Sequence, residues 1–272
     1  MTNVHFVSAL VYNPSDPIEP AKRLEWLRVL LSAHLPLTLF VDDLFKRAVE
    51  AAAWFSSVGH PELELVEWSL HDSETGRRCL GAAAQLALPE IRNGGKDGEF
   101  FMMLMNAKVE LVGAVAKARA DKPFVAFLDA GIVKIFKDVE GSLGRLKALR
   151  MQEDFTGVAV PGCWSMGTVS PEELARKICW IFCGGFFVVR REEAGNLFEA
   201  ATAALDYFLG KGQITWEVNV WVHMLRVPGA PQMKWFAADH NDRMTMIPDE
   251  WREFDAKPPG GDDGSTPESN TA

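Results

Sequence analysis

Short, unbroken apolar runs alternate with stretches of helical spacing along most of the chain. Residues 4–12 (VHFVSALVY) are apolar at nearly every position and rich in valine. That pattern predicts a strand buried on both faces, because a half-exposed strand would alternate. Asn13-Pro14-Ser15-Asp16-Pro17 interrupts it, and a helix follows with Pro20 in its first turn and Leu24, Leu27 and Leu31 on one face. Leu37–Val41 (LTLFV) predicts a second buried strand, closed by Asp42-Asp43, with a helix over 44–55. Residues 63–70 predict a third strand ending at His71-Asp72, and the mixed residues 73–96 predict no regular element. A helix is expected over 99–120, with Asp97 to cap its start and Lys117 and Arg119 at its end. Phe124–Leu128 (FVAFL) predicts a fourth buried strand, stopping at Asp129-Ala130-Gly131. Further on, the pattern predicts strands at 158–160, 186–189 and 235–238. It also predicts helices beginning at the capping box Ser170-Pro171-Glu172-Glu173, over 191–209 up to Gly210, and from a Thr215 cap to Arg226.

Alternating strands and helices imply an α/β fold with a mostly parallel central sheet flanked by helices on both faces. With 272 residues, one domain with a large core is expected over 1–256. The Pro-, Gly-, Asp-, Ser- and Thr-rich residues 257–272 have no apolar anchor and are expected to be a disordered tail. A net charge of -9, without a basic stripe, argues against nucleic acid as a partner. The longest apolar stretch, 178–189, is too short for a transmembrane segment and holds two glycines. No basic region followed by an apolar run marks a signal peptide, so a cytoplasmic location is expected. Cys79, Cys163, Cys179 and Cys183 are then expected to be reduced core thiols. No Cys or His pair at zinc spacing accompanies Cys179 and Cys183.

In an open parallel sheet, ligands bind at the carboxyl ends of the strands, which draws attention to the acids there. Asp129 follows a strand apolar throughout; it could hold a hard cation or a ribose hydroxyl, or simply cap the next turn. Lys108 lies seven residues after Phe101 and seven before Val115, on the apolar stripe of its helix. A buried ammonium needs a partner, here a phosphate or an acid such as Asp129; the alternative is a lysine snorkelling from the stripe's edge. In Cys183-Gly184-Gly185-Phe186-Phe187 the glycines allow close approach of a ligand or of another backbone. Glu217 falls in a first helical turn, which the helix dipole favours, and could also act as a base toward an acceptor hydroxyl. His240, in Asp239-His240-Asn241, is either a nitrogen ligand for a metal at Asp129 or an exposed loop histidine. The chain lacks Gly-x-Gly-x-x-Gly after its first strand, a phosphate loop, a Gly-x-Ser-x-Gly elbow and His-Glu-x-x-His. These absences disfavour dinucleotide enzymes, phosphate-loop nucleotidases, esterases of that class and zinc peptidases.

Phe124-Val-Ala-Phe-Leu-Asp129-Ala-Gly131, the preceding Asn106-Ala107-Lys108, Cys183-Gly-Gly-Phe-Phe187 and Ile214-Thr-Trp-Glu217-Val-Asn219 occur in an order that resembles glycosyltransferases of the GT-A fold, above all the bacterial HtrL/YibB-like group. The resemblance covers roughly residues 4 to 245. It implies a single GT-A-like domain that moves a sugar from a nucleotide-diphosphate donor, a UDP-sugar, to a hydroxyl on a glycan, lipid or small molecule. It implies donor binding by Ser8, Tyr12, Asp42, Lys108, Asp129, Gly131, Gly184 and Gly185, with Asp129 and Glu217 as catalytic groups. It implies Mn²⁺ or Mg²⁺ held by Asp129 and His240, although Gly131 stands where the family's Asp-x-Asp pattern has its second acid. That departure leaves a second reading, a GT-A-like binding or regulatory domain with a decayed site. A nucleotidyltransferase is less well matched, since Asn13-Pro14-Ser15-Asp16 is no glycine-rich basic loop.

Overall fold

A computed structural model describes residues 2–13, 16–82, 84–164 and 169–248; the expected disordered tail lies outside the described residues. The apolar runs become β1 (Val4–Leu10), β2 (Leu37–Val41), β3 (Leu63–Glu67), β4 (Phe124–Leu128), β5 (Val158–Gly162), β6 (Phe186–Arg190) and β7 (Met233–Ala237). They form one seven-stranded sheet in the order β3-β2-β1-β4-β6-β5-β7. Every pairing is parallel except those of β6, which runs antiparallel to both β4 and β5. The sheet with helices on both faces is consistent with the expected GT-A-like architecture.

The apolar runs are continuous because both faces of the sheet are covered. On one face Val7, Val125, Phe127, Phe187 and Val189 pack with the helical residues Met102, Val112, Val115, Leu205 and Phe208. On the other, Phe6, Leu10, Phe124, Ala126, Leu128 and Val188 meet Leu27, Leu31, Phe45, Val49 and Leu146. The helices are α1 (Pro20–Leu31), α2 (Asp43–Ala51), α3 (Ala53–Val58), α4 (Glu74–Ala82), α5 (Glu99–Asn106), α6 (Lys108–Ala118), α7 (Val139–Ala148), α8 (Pro171–Arg176), α9 (Ala194–Leu209) and α10 (Glu217–Met224).

Several elements depart from the pattern. The helix expected over 99–120 is interrupted at Ala107. The Asn106 amide donates to the Met102 carbonyl, competing with the helical ladder there, and also to the Thr215 carbonyl. Asp97 does not cap it; its carboxylate accepts from the Asn93 backbone N–H instead. The helix expected over 44–55 breaks at Ala52, whose extended backbone no local residue signals. Helix α4 occupies residues whose pattern predicts no element. Its first N–H groups, on Glu74 and Thr75, are held by the Glu110 carboxylate from 36 and 35 residues away, a cap invisible to local pattern. Helix α7 is a further addition, although Asp138 caps it locally through the Gly141 N–H. Thr215 is not a cap: its hydroxyl donates to the Leu174 carbonyl, and α10 starts at Glu217.

On β1, His5 is buried, and its Nε2 lies 2.9 Å from the Thr38 hydroxyl. Thr38 gives its one proton to Glu64, so it accepts from His5, which fixes the Nε2–H form of the ring. Burial, reinforced by Arg119, pushes the His5 pKa from 6.5 down to about 4. The unfolded chain therefore takes up this proton first as pH falls. Stability is full above pH 6.5 and declines toward pH 4. Urea unfolding at pH 7 and pH 5 should show a loss of about 2 kcal/mol from this group, absent in His5→Leu. An unchanged slope in the variant would exclude His5 as the source.

Candidate active site

From β1 the chain runs outward to β2 and β3, then returns to place β4 on the other side of β1. The crevice outside the carboxyl ends of β1 and β4 is thus the switch point at which such sheets bind ligands. Asp129 stands there, directly after β4. Its backbone N–H donates to the Gly185 carbonyl at 2.9 Å, and its carbonyl accepts from Ile132 to start a 3₁₀ turn. A Cβ on Gly131 would lie 3.3 Å from the Trp26 ring, so this position has no room for a second acid unless Trp26 moves.

The centre of the site is a buried ammonium. Lys108 opens α6, and its Nζ lies 2.9 Å from the Gly184 carbonyl, 2.9 Å from Glu217 Oε1 and 3.2 Å from Asp129 Oδ1. Three acceptors meet the three ammonium protons, and the Phe127 ring lies beneath at 5.2 Å. Burial would depress its pKa, but the Asp129 and Glu217 carboxylates outweigh that and hold it above the ordinary lysine value. The start of a helix disfavours a cation and favours an anion; Glu217, the first residue of α10, enjoys the second effect while offsetting the first for Lys108. The side chains of Lys108, Glu217 and Asp129 are 3%, 7% and 39% exposed, so Asp129 is the member of this triad that meets solvent.

Gly184 and Gly185 let the chain pass between the two acids. A Cβ on Gly184 would sit 2.1 Å from Glu217 Oε1, and one on Gly185 would lie 3.3 Å from Asp129 Oδ2. Two further cations feel the Asp129 charge. Arg23 is one, though its guanidinium is ion-paired with the Asp16 carboxylate. Lys134, beside the Trp26 ring, is held below the usual lysine value by desolvation and by repulsion from Lys96, Arg23 and Lys108, against the pull of Asp129. An anion arriving beside Asp129 would relieve that repulsion.

An open cleft of about 960 Å³ runs along the ends of β1, β2 and β3; Asp129, Lys108 and Glu217 do not line it. Tyr12, Trp68 and Phe100 offer ring faces in it, and Asp42, Asp72 and Arg77 offer polar groups. Asp42 is partly engaged: one oxygen caps α2 through the Phe45 N–H, and the other accepts from the Tyr12 N–H. Tyr12 and Asp42 both line the cleft. Ser8 does not. It is fully buried within β1 and gives its hydroxyl to the Leu128 carbonyl at 2.6 Å. The strand ends two residues later, and only the residues beyond Leu10 reach the crevice.

His240 is brought together with Cys163 and Cys183 rather than forming a metal group with Asp129. A hard divalent cation needs several oxygen ligands. At the triad, Asp129 supplies the one solvent-facing carboxylate and shares it with Lys108, while Gly131 supplies none. A Mn²⁺ or Mg²⁺ ion held at Asp129 would take most of its oxygen ligands from a bound diphosphate and water. Arg23 and Lys134 are functional candidates that the sequence pattern does not single out; the signal available is a basic residue three positions after Gly131. No protein-family model matches the chain, and no curated protein matches it, so its function has to be read from the site's own geometry.

Removing the ammonium while leaving the buried carboxylate uncompensated is strongly destabilising, typically by about 3–5 kcal/mol. Lys108→Met should lose stability on that scale in urea unfolding, and adding Glu217→Gln should restore part of it. If the double variant is no more stable than the single one, Lys108 and Glu217 are not coupled.

Proposed function

We propose that this chain transfers a glycosyl group from a nucleoside-diphosphate sugar, with UDP as the expected nucleotide, to a hydroxyl of a glycan, lipid or small molecule. The observation that supports this best is the solvent-facing Asp129 carboxylate, anchored on a buried ammonium at the sheet's switch point, with Lys134 feeling its charge. The cleft along the ends of β1, β2 and β3 has the size for a nucleoside and is lined by Tyr12, Trp68 and Phe100. In this reading the base and ribose occupy the cleft, near Tyr12 and Asp42, and the diphosphate lies toward Arg23 and Lys134.

The bond between the anomeric carbon and the diphosphate oxygen breaks as the acceptor oxygen bonds to that carbon. Negative charge grows on the departing diphosphate, where Lys134 would stabilise it, and Arg23 would add to this by exchanging its Asp16 partner for a phosphate oxygen. In this reading Asp129 accepts the acceptor's proton. Glu217 is too enclosed for that; it holds Lys108 and so positions Asp129. The alternative reading, a decayed binding domain, draws on the missing acid at Gly131.

Thermal unfolding with UDP, GDP, CDP and dTDP, each in chelator and in Mn²⁺, tests the donor site. A ligand at a hundred times its dissociation constant adds about 2.7 kcal/mol to the native state. One nucleotide should raise the midpoint to the same extent in both conditions, and Lys134→Ala should reduce that shift while leaving the free protein's midpoint unchanged. If no nucleotide moves the midpoint, the donor reading fails.

A further inference from the structure

Cys163, Cys183 and His240 come from three distant parts of the chain, yet sheet topology brings them to one edge. Cys163 follows the end of β5, and His240 lies three residues beyond the end of its parallel neighbour β7. Cys183 precedes β6, and because β6 is antiparallel its start lies at that same edge. Cys163 Sγ is 3.3 Å from Cys183 Sγ, Cys183 Sγ is 4.0 Å from His240 Nδ1, and the three ligand atoms lie within 4.8 Å of one another. Around a tetrahedral zinc ion with Zn–S of about 2.3 Å and Zn–N of about 2.0 Å, sulfur–sulfur and sulfur–nitrogen separations come to about 3.7 Å and about 3.5 Å. The sulfur–sulfur and sulfur–nitrogen separations here, 3.3 Å and 4.0 Å, lie within about half an ångström of that geometry.

Two thiols and an imidazole form a soft donor set, suited to zinc and unsuited to Mg²⁺ or Mn²⁺. The surroundings fit as well. Asp239 Oδ1 lies 3.2 Å from Cys163 Sγ and 3.3 Å from His240 Nδ1, adding negative charge at the rim. The Trp180 ring stands edge-on to His240, with centroids 4.6 Å apart, and fixes the imidazole's orientation. We propose that Cys163, Cys183 and His240 bind a zinc ion that ties together the ends of β5 and β7 and the start of β6. This inference is independent of the sugar-transfer reading. Its consequence for the candidate site is direct, since Cys183 adjoins the Gly184-Gly185 segment that passes between Asp129 and Glu217.

A thiol binds the ion only as a thiolate, so binding releases protons and should tighten as pH rises. Cobalt is the spectroscopic probe. Titrating Co²⁺ into the full chain, reduced and stripped with chelator, should give a sulfur-to-cobalt charge-transfer band and the intense visible bands of a tetrahedral ion. Zn²⁺ should abolish both. Loss of outer-shell partners alone weakens metal sites by about 10–100-fold, so Cys163→Ser and His240→Ala should each weaken binding by at least about 10-fold. Cys163 and His240 are exposed, so both variants should keep the far-ultraviolet circular dichroism of the parent. Absence of the bands, or equal affinity in the variants, would overturn the proposal. So would a Cys163–Cys183 disulfide, seen as a loss of two titratable thiols and of metal binding that reductant does not restore.

Discussion

The buried Lys108 ammonium is the constraint around which the candidate site is organised. A charge withdrawn from water must be met by nearby acceptors, and here three converge from different elements: the carbonyl before β6, the first residue of α10 and the residue after β4. Meeting that demand fixes the relative positions of these segments. It also explains the first of the two glycines. With Glu217 Oε1 where Lys108 requires it, no side chain fits at Gly184, while at Gly185 a Cβ would make only tight contacts with Met244 and the Asp129 carboxylate.

The arrangement leaves Asp129 in an uncommon state, a carboxylate held on its inner side by a cation and open on its outer side to solvent. With Lys134 and the Asp16-paired Arg23 feeling its charge, the field outside it suits an anion carrying a hydrogen-bond donor. A diphosphate joined to a hydroxyl-bearing group combines those two features. In the proposed sugar-transfer reading, Lys134, carried on the turn after Gly131, would take up part of the charge that a metal would otherwise neutralise.

Much of the fold is legible in the chain because both faces of the sheet are covered. Continuous runs such as LTLFV and FVAFL can only be buried strands, and the acid after each marks the ligand edge. Lys108 stands out because a cation on an apolar stripe breaks the helical pattern. The features that escape a reading of the sequence are nonlocal. The α4 cap comes from Glu110, the Cys163–Cys183–His240 group needs the antiparallel turn of β6, and Ser8 is sealed by its bond to the Leu128 carbonyl on the neighbouring strand. Spacing along the chain carries little of that information, since these contacts depend on which segments become neighbours in space.

The central claim, that Asp129 and the cations that feel its charge support cleavage of a sugar from a nucleoside diphosphate, is tested most directly by product release. The chain would be incubated with UDP-, GDP-, CDP- and dTDP-sugars in chelator and in Mn²⁺, and free nucleoside diphosphate would be measured over time. The account predicts release from one donor class in the presence of chelator, lost in Asp129→Asn while that variant keeps the parent's far-ultraviolet circular dichroism at the assay temperature. No release from any donor under either condition, or release that Asp129→Asn leaves unchanged, would contradict it.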